Sequence, residues 1–205
     1  MDMVTAPPVK TRLMNSALKL VRSTGYEATT VDDLCKDAGV TKGAFFHHFK
    51  SKEELAVSAT RHWTDVTSGV FDAAAYHAFE DPLDRLIAYI DFRGKMLEGR
   101  TLPESTCFLG MMAQEQFTSS PAIRDACFVG ITAHADTIAE IIRAAKARHA
   151  PEATWSIESL ALHTQTVIQG AFVVAKAGND VTLAVESIRH LRRYVELLFH
   201  FAKED

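Results

Sequence analysis

The residues of this chain that could do chemistry are nine histidines, three cysteines and a belt of methionine and phenylalanine. Cys35, Cys107 and Cys127 form no CxxC pair and are too few and too scattered for a disulfide framework. His47 and His48 are adjacent, and adjacent residues do not share a helix face, so they do not make a metal pair. There is no Gly-x-Ser-x-Gly, no Walker loop and no His-Glu-x-x-His, so an enzyme would need a site that the sequence does not display. The belt lies between residues 86 and 140: Leu86, Tyr89, Ile90, Phe92, Met96, Leu97, Cys107, Phe108, Met111, Met112, Phe117, Phe128 and Ile131. Arg93, Gln114, Glu115, Gln116 and His134 are interleaved with it. Soft and flat apolar groups with a few polar anchors suit an apolar or aromatic small molecule. At helical spacing the same residues also read as ordinary core.

The elements that would position these groups are helical almost throughout. The six prolines each sit where a helix can begin. Leu13, Ala17, Leu20 and Val21 predict a helix from Pro8 to Thr24, stopped by Gly25. Thr30, with Asp33 three residues on, predicts a capped second helix whose apolar stripe is Val31, Leu34, Cys35 and Ala38. Gly39 ends it. Thr41 caps a short third helix, Lys42 to Phe49, and Ser51 caps a fourth with Glu53 and Glu54 in its first turn. Two short helices joined by Ala38-Gly39-Val40-Thr41 make a helix-turn-helix: Gly39 supplies the turn, Val40 plugs the angle, and Phe45 and Phe49 face inward. The third helix is then the recognition helix, its first residues aimed at base edges in the major groove. Longer helices are expected at about 51–78, 82–99, 104–118, 121–149, 153–178 and 180–203, with Asp81, Ser120 and Asp180 as starts.

The charge distribution agrees with this order. The formal net charge is −4, but residues 1–62 carry nine basic against seven acidic side chains, and the remainder thirteen against nineteen. A mildly basic head on an acidic body fits a protein that meets DNA at one end. The N-terminus lacks the apolar core of a signal peptide, and no apolar run approaches the roughly 20 residues that span a membrane, so the expected location is the cytoplasm, with no membrane partner.

The segment from Thr30 to Leu55, TVDDLCKDAGVTKGAFFHHFKSKEEL, resembles the DNA-binding domain of the tetracycline-repressor (TetR) family. The likeness covers about residues 10–57 and includes the exit from the recognition helix at Phe49 and Ser51–Leu55. It implies an all-α fold of about nine helices: a helix-turn-helix domain at 1–52 and a helical effector-binding and dimerisation domain at 53–205. It also implies roles. Lys42, Gly43 and Ala44 would approach bases: Lys42 donating to guanine, Gly43 letting the backbone come close, Ala44 touching a thymine methyl. Thr30 and Thr41 suit phosphates, as do His47, His48 and Lys52. Phe46 stands where the family usually has tyrosine; with no hydroxyl for a phosphate, it would pack on sugar or a thymine methyl. The effector pocket would lie within about 82–149, so Tyr89, Phe92, Arg93, Met96, Phe108, Met111, Met112, Gln116, Phe117, Phe128 and His134 become candidate contacts. Cys107-Phe108-Leu109-Gly110 is similar to a stretch common in one large subgroup of the family.

The last two helices read as a dimer interface. Leu160, Val167, Ile168, Ala171 and Phe172 on one, and Ile188, Leu191, Val195 and Leu198 on the other, make them apolar on more than one side, which demands burial on more than one side. Paired about a two-fold axis they would form a four-helix bundle. The expected protein is thus a homodimeric repressor, without a cofactor or metal, that binds an inverted-repeat DNA operator and is released by a small effector. A redox-responsive regulator using Cys107 or Cys127, and an enzyme with an unrecognised site, are the alternatives.

Overall fold

The computed structural model describes residues 7–201, the side chain of residue 201 excepted. Among them are nine α-helices: α1 (Val9–Thr24), α2 (Val31–Ala38), α3 (Lys42–His48), α4 (Lys52–Asp72), α5 (Pro82–Lys95), α6 (Phe108–Gln116), α7 (Pro121–His149), α8 (Ile157–Gly178) and α9 (Thr182–Phe201), with a 3-10 turn at Ala75–Ala78. No strand occurs among the described residues, and none of their helices is long and apolar enough to cross a membrane. The all-α fold is as expected.

Several helix starts rest on a side chain that satisfies an otherwise orphaned N–H, and α5 and α7 open on a proline that has none to satisfy. Asp81 accepts from Leu83 N at 2.8 Å and Ser120 from Ile123 N at 3.3 Å. Asp180 accepts from Thr182 N at 2.9 Å. The expected ends are less accurate. α4 stops at Asp72 and its continuation is the separate 3-10 turn. α5 stops at Lys95, before a loop in which Gly99 takes φ +70°. α6 begins at 108 rather than 104, and α8 at 157, where Ser156 accepts from Ser159 N. Residues 202 and 203, included in the expected last helix, lie outside the described residues.

The chain forms two compact units. One contains the helices up to Thr67 together with Phe108–Gly130; the other contains Ser68–Cys107 and the chain from Ile131 on. A division at residue 52 therefore does not coincide with the packing, because α6 and the start of α7 belong with the N-terminal helices.

The second unit has a core drawn from α5, α7, α8 and α9, including Leu86, Ile90, Ile138, Ile142, Ile168, Leu191 and Phe199. This changes the reading of the last two helices. Leu160, Ile168, Ala171 and Phe172 on α8, and Ile188, Leu191 and Val195 on α9, lie inside the protomer, and Val167 and Leu198 pack partly buried against them. Side chains closed off within one protomer cannot also form a contact between protomers. The face of α8 and α9 left to solvent carries Leu162, His163, Thr166, Gly170, Val173 and Val174, and His190, Tyr194 and Leu197. His163 and Tyr194 stack edge to face across this surface, with centroids 5.3 Å apart. A helix apolar on two sides announces two contacts, and periodicity does not say which is internal.

Candidate nucleic-acid interface and effector site

The helix-turn-helix is held by local rules. The Thr30 hydroxyl accepts from Asp33 N at 3.1 Å while the Asp33 carboxylate accepts from Thr30 N at 3.0 Å, a reciprocal capping box. The Thr30 hydroxyl, which also donates to Asp33 Oδ2 at 2.6 Å, and then the Thr30 N–H keep the Asp33 carboxyl below its usual range. Gly39 takes φ +63°, the left-handed conformation that closes α2, and its N–H meets the carbonyls of Cys35 and Lys36. Thr41 accepts from Ala44 N at 3.2 Å and opens α3. Phe45 and Phe49 are buried and meet at 6.0 Å, fixing one side of α3 to the helices beneath it.

The opposite side of α3 is open. Lys42, Gly43, Phe46 and His47 are exposed, Ala44 and His48 partly so, and Thr30 and Thr41 stand at two exposed helix starts. Phe46 is 56% exposed although its neighbour Phe45 is 0% exposed. Lys42 Nζ pairs with Asp32 Oδ1 on α2 at 2.8 Å, which raises the ammonium pKa. Lys52 is engaged differently from the phosphate contact expected of it. Its ammonium donates to Tyr26 O at 3.0 Å and Thr29 O at 3.2 Å and lies 4.1 Å from the centroid of the Tyr26 ring. It ties the α1–α2 turn to the start of α4.

The same turn is gripped from α6. Glu115 accepts from Tyr26 N at 2.8 Å and Glu27 N at 2.7 Å, and Gln116 Nε2 donates to Glu27 Oε1 at 2.6 Å. Gly25 suits this turn through its φ of +92°, a conformation that other residues rarely adopt. Nothing in the local pattern around Glu115 signals this contact, which joins residues 88 and 89 positions apart.

The eleven candidate effector residues divide between the two units. Phe108, Met111, Met112, Gln116, Phe117 and Phe128 belong to the first. Phe108 and Met112 are fully buried there, Phe108 with its ring 6.3 Å from Trp63; Gln116 is buried on Glu27, Met111 is partly buried, and Phe117 and Phe128 are exposed. Tyr89, Phe92, Arg93, Met96 and His134 belong to the second, where four of them converge. The Tyr89 hydroxyl lies 2.9 Å from His134 Nε2, and Arg93 Nη1 lies 3.1 Å from the same nitrogen and 3.3 Å from the hydroxyl. Arg93 covers the Phe71 ring at 5.2 Å, and Phe92 meets Phe71 at 5.9 Å. Burial, and then the Arg93 charge, push the His134 pKa down to about 3, so its imidazole is neutral and accepts through Nε2. Gln165, whose Nε2 donates to the Tyr89 hydroxyl at 3.3 Å, and the rings of Phe71 and Tyr76 complete the cluster, and none was a sequence candidate. Met96 packs partly buried against the core of this unit. Of the cysteines, Cys35 and Cys127 are buried and Cys107 is partly exposed.

A helical recognition element with one side pinned and the other open, attached to a helical body, defines a helix-turn-helix regulator. Residues 13–59 match the family model for bacterial regulatory proteins of the tetR family, and residues 82–191 match the tetracyclin repressor-like C-terminal domain. The chain belongs to the TetR family. The HTH-type transcriptional repressor KstR2 of Mycolicibacterium smegmatis is 34% identical over 74 residues, 36% of each chain. The chain spans only 19% to 43% of the length of the first four curated relatives it matches. Likeness to solved structures is much more extensive. A regulatory protein TetR from Rhodobacter sphaeroides superposes with a TM-score of 0.79 at 22% identity, over 90% of this chain and 97% of that one. A regulator from Saccharomonospora viridis, solved in complex with choline, superposes with a TM-score of 0.73 at 20% identity, over 91% and 95%. At these identities the likeness establishes the fold.

Proposed function

We propose that this protein is a cytoplasmic, homodimeric transcriptional repressor that binds an inverted-repeat operator and is released by a small effector. The observation that carries the reading is the two-sided recognition helix: Phe45 and Phe49 fix α3 to its own unit, while Lys42, Gly43, Phe46 and His47 are exposed and Ala44 partly so. Lys42 reads a base, Phe46 packs on sugar or a thymine methyl, and the starts of α2 and α3 at Thr30 and Thr41 meet phosphates, with His47 and His48 beside them. Lys52 shapes the turn that carries Thr30.

Dimerisation brings two such helices to successive major grooves, about 34–36 Å apart. The surface for it is the exposed face of α8 and α9, with Leu162, Gly170, Val174, Tyr194 and Leu197. Gly170 has open space where a Cβ would stand, which suits close approach by a partner helix. Sedimentation checks this: Val174→Glu and Leu197→Glu give folded monomers, whereas Leu191→Glu unfolds the chain. A folded monomeric wild type would overturn it.

The effector binds at the Tyr89–Arg93–His134 cluster of the second unit. A cation such as the choline held by the Saccharomonospora protein is disfavoured there, because the aromatic faces already hold the Arg93 guanidinium. The decisive experiment is a gel shift against the DNA upstream of the protein's own coding sequence. A specific shift at moderate salt, abolished in Phe45→Ala, supports the reading; binding indifferent to sequence, or none, refutes it.

A further inference from the structure

The polar cluster of the second unit carries a charge with no counter-charge. No carboxylate lies within ion-pair distance of Arg93 among the described residues, although ten other such pairs occur there. Its hydrogen bonds use one nitrogen, Nη1, shared between the Tyr89 hydroxyl and His134. The Nε and Nη2 hydrogens are left over, and they lie on one edge of the guanidinium, in the fork that matches the two oxygens of a carboxylate. The same cluster holds a second orphan. The Tyr76 hydroxyl is buried and has no hydrogen-bond partner, on a residue only 3% exposed. Its ring meets Tyr89 at 5.5 Å and Phe92 at 5.8 Å, and burial above all, with Tyr89 adding and Arg93 opposing, pushes its phenol up to about 12. Asp72, exposed at the end of α4, also acts on Tyr76 but forms no ion pair with Arg93.

A buried hydroxyl without a partner is costly to keep in a folded protein, and the partly buried guanidinium in the same cluster has an edge free for a guest. They are suited to one kind of guest. Resting on the effector reading above, we propose that the effector is a small aromatic monocarboxylate, its carboxylate held by the free edge of Arg93 and by the Tyr76 hydroxyl, its ring against Phe92. The neutral imidazole of His134 adds no second positive charge, and no lysine joins the cluster, so a doubly charged phosphate is poorly matched. Phe92, Arg93, Met96 and His134 are only partly buried and would meet an entering ligand first, whereas Tyr76, Tyr89 and Gln165 are buried.

Isothermal titration of the intact protein with benzoate, phenylacetate and trans-cinnamate, and with the amide of each, tests this. At least one carboxylate is expected to bind, and its amide at least tenfold more weakly. Arg93→Lys keeps the charge but loses the fork and is expected to weaken carboxylate binding about tenfold to a hundredfold while melting like wild type. Tyr76→Phe separates binding from packing: removing an unsatisfied hydroxyl leaves the melting temperature of the free protein equal or higher, while carboxylate affinity falls. Equal binding of acid and amide, no binding by any of the acids, or unchanged affinity in Arg93→Lys overturns the proposal. Calorimetry needs no DNA, so its failure leaves the repressor reading intact. The gel shift needs no effector, so its failure leaves the carboxylate site to stand or fall by titration.

Discussion

The α3 region and the Arg93 cluster solve opposite problems. In α3 the binding groups are few, exposed and close together in sequence, and burial serves only to aim them. In the cluster they come from the end of α4, the 3-10 turn, α5, α7 and α8, and burial is itself the chemistry: it keeps His134 neutral and leaves Tyr76 without a partner. A surface that reads DNA can be written in twenty consecutive residues. The proposed effector cluster depends on where five separate elements meet.

The contrast predicts different failures. The largest concerns the adjacent phenylalanines. Phe45→Ala removes a fully buried ring and is expected to cost about 3–5 kcal/mol, unfolding the first unit and abolishing operator binding. Phe46→Ala, at an exposed position, changes stability by less than about 0.5 kcal/mol and acts on DNA affinity alone. Thermal melts and gel shifts on the pair check this; equal destabilisation would mean that α3 is not two-sided.

Next in size is the acid response of the cluster. The folded-state pKa of His134, about 3, lies below its ordinary value of 6.5, so the unfolded chain binds the proton more readily. Stability is therefore complete above about pH 6.5 and falls as the pH drops towards 3, by roughly 1 kcal/mol per unit through the middle of that window. Denaturant midpoints measured between pH 7 and 4.5 should show this slope, and His134→Gln should flatten it. The groups set against the ring are Arg93 and Tyr89 from α5 and Phe71 from α4. An unchanged slope in the variant would place the imidazole in water and weaken the case for a closed cluster.

What could be read from the sequence follows the same division. The starts of α2, α3 and α4, the Gly39 turn and the inward Phe45 and Phe49 are consequences of residues within four positions of each other, and all were legible. So were Asp81, Ser120 and Asp180, because an N-cap acts on the next turn. Tyr76, Phe71 and Gln165 were missed because no spacing rule links a 3-10 turn and the end of α4 to the middle of α8. The inner face of α8 and α9 read as the dimer face for a related reason: Leu191 and Leu197 are both leucines of one helix, and only the packing against α5 and α8 shows that the first is enclosed. Glu115 was noted as a polar group of the belt, but its two backbone N–H partners lie in a turn nearly ninety residues earlier.

Within the reading surface, Lys42 and Lys52 sharpen the comparison between aiming and contact. Lys42→Ala is expected to lower operator affinity about tenfold to a hundredfold and to relax preference at one base pair. Lys52→Ala removes the donor to Tyr26 O and Thr29 O, so it lowers the melting temperature as well as affinity. Competition binding with operator variants, paired with melts, tells the two apart. If Lys52→Ala left stability untouched and only reduced the salt dependence by about one unit, Lys52 would be a phosphate contact after all.

The smallest effect comes from Asp32. In the free protein its carboxylate holds the Lys42 ammonium at 2.8 Å, with both side chains mostly exposed. Exposed pairs of this kind contribute little to stability, so Asp32→Asn should leave the melting temperature nearly unchanged. On DNA the same carboxylate has two costs: it must release Lys42, and it brings a negative charge towards phosphates. Neutralising it should therefore raise affinity severalfold on operator and non-operator DNA alike, and lower the ratio between them, because part of the requirement that Lys42 find its base before leaving Asp32 is gone. Gel shifts on both DNAs at two salt concentrations measure the ratio directly. A fall in operator affinity would give Asp32 the opposite part, that of steering Lys42 to its base in the complex, and aiming in this surface would then extend from the buried side of α3 to its exposed one.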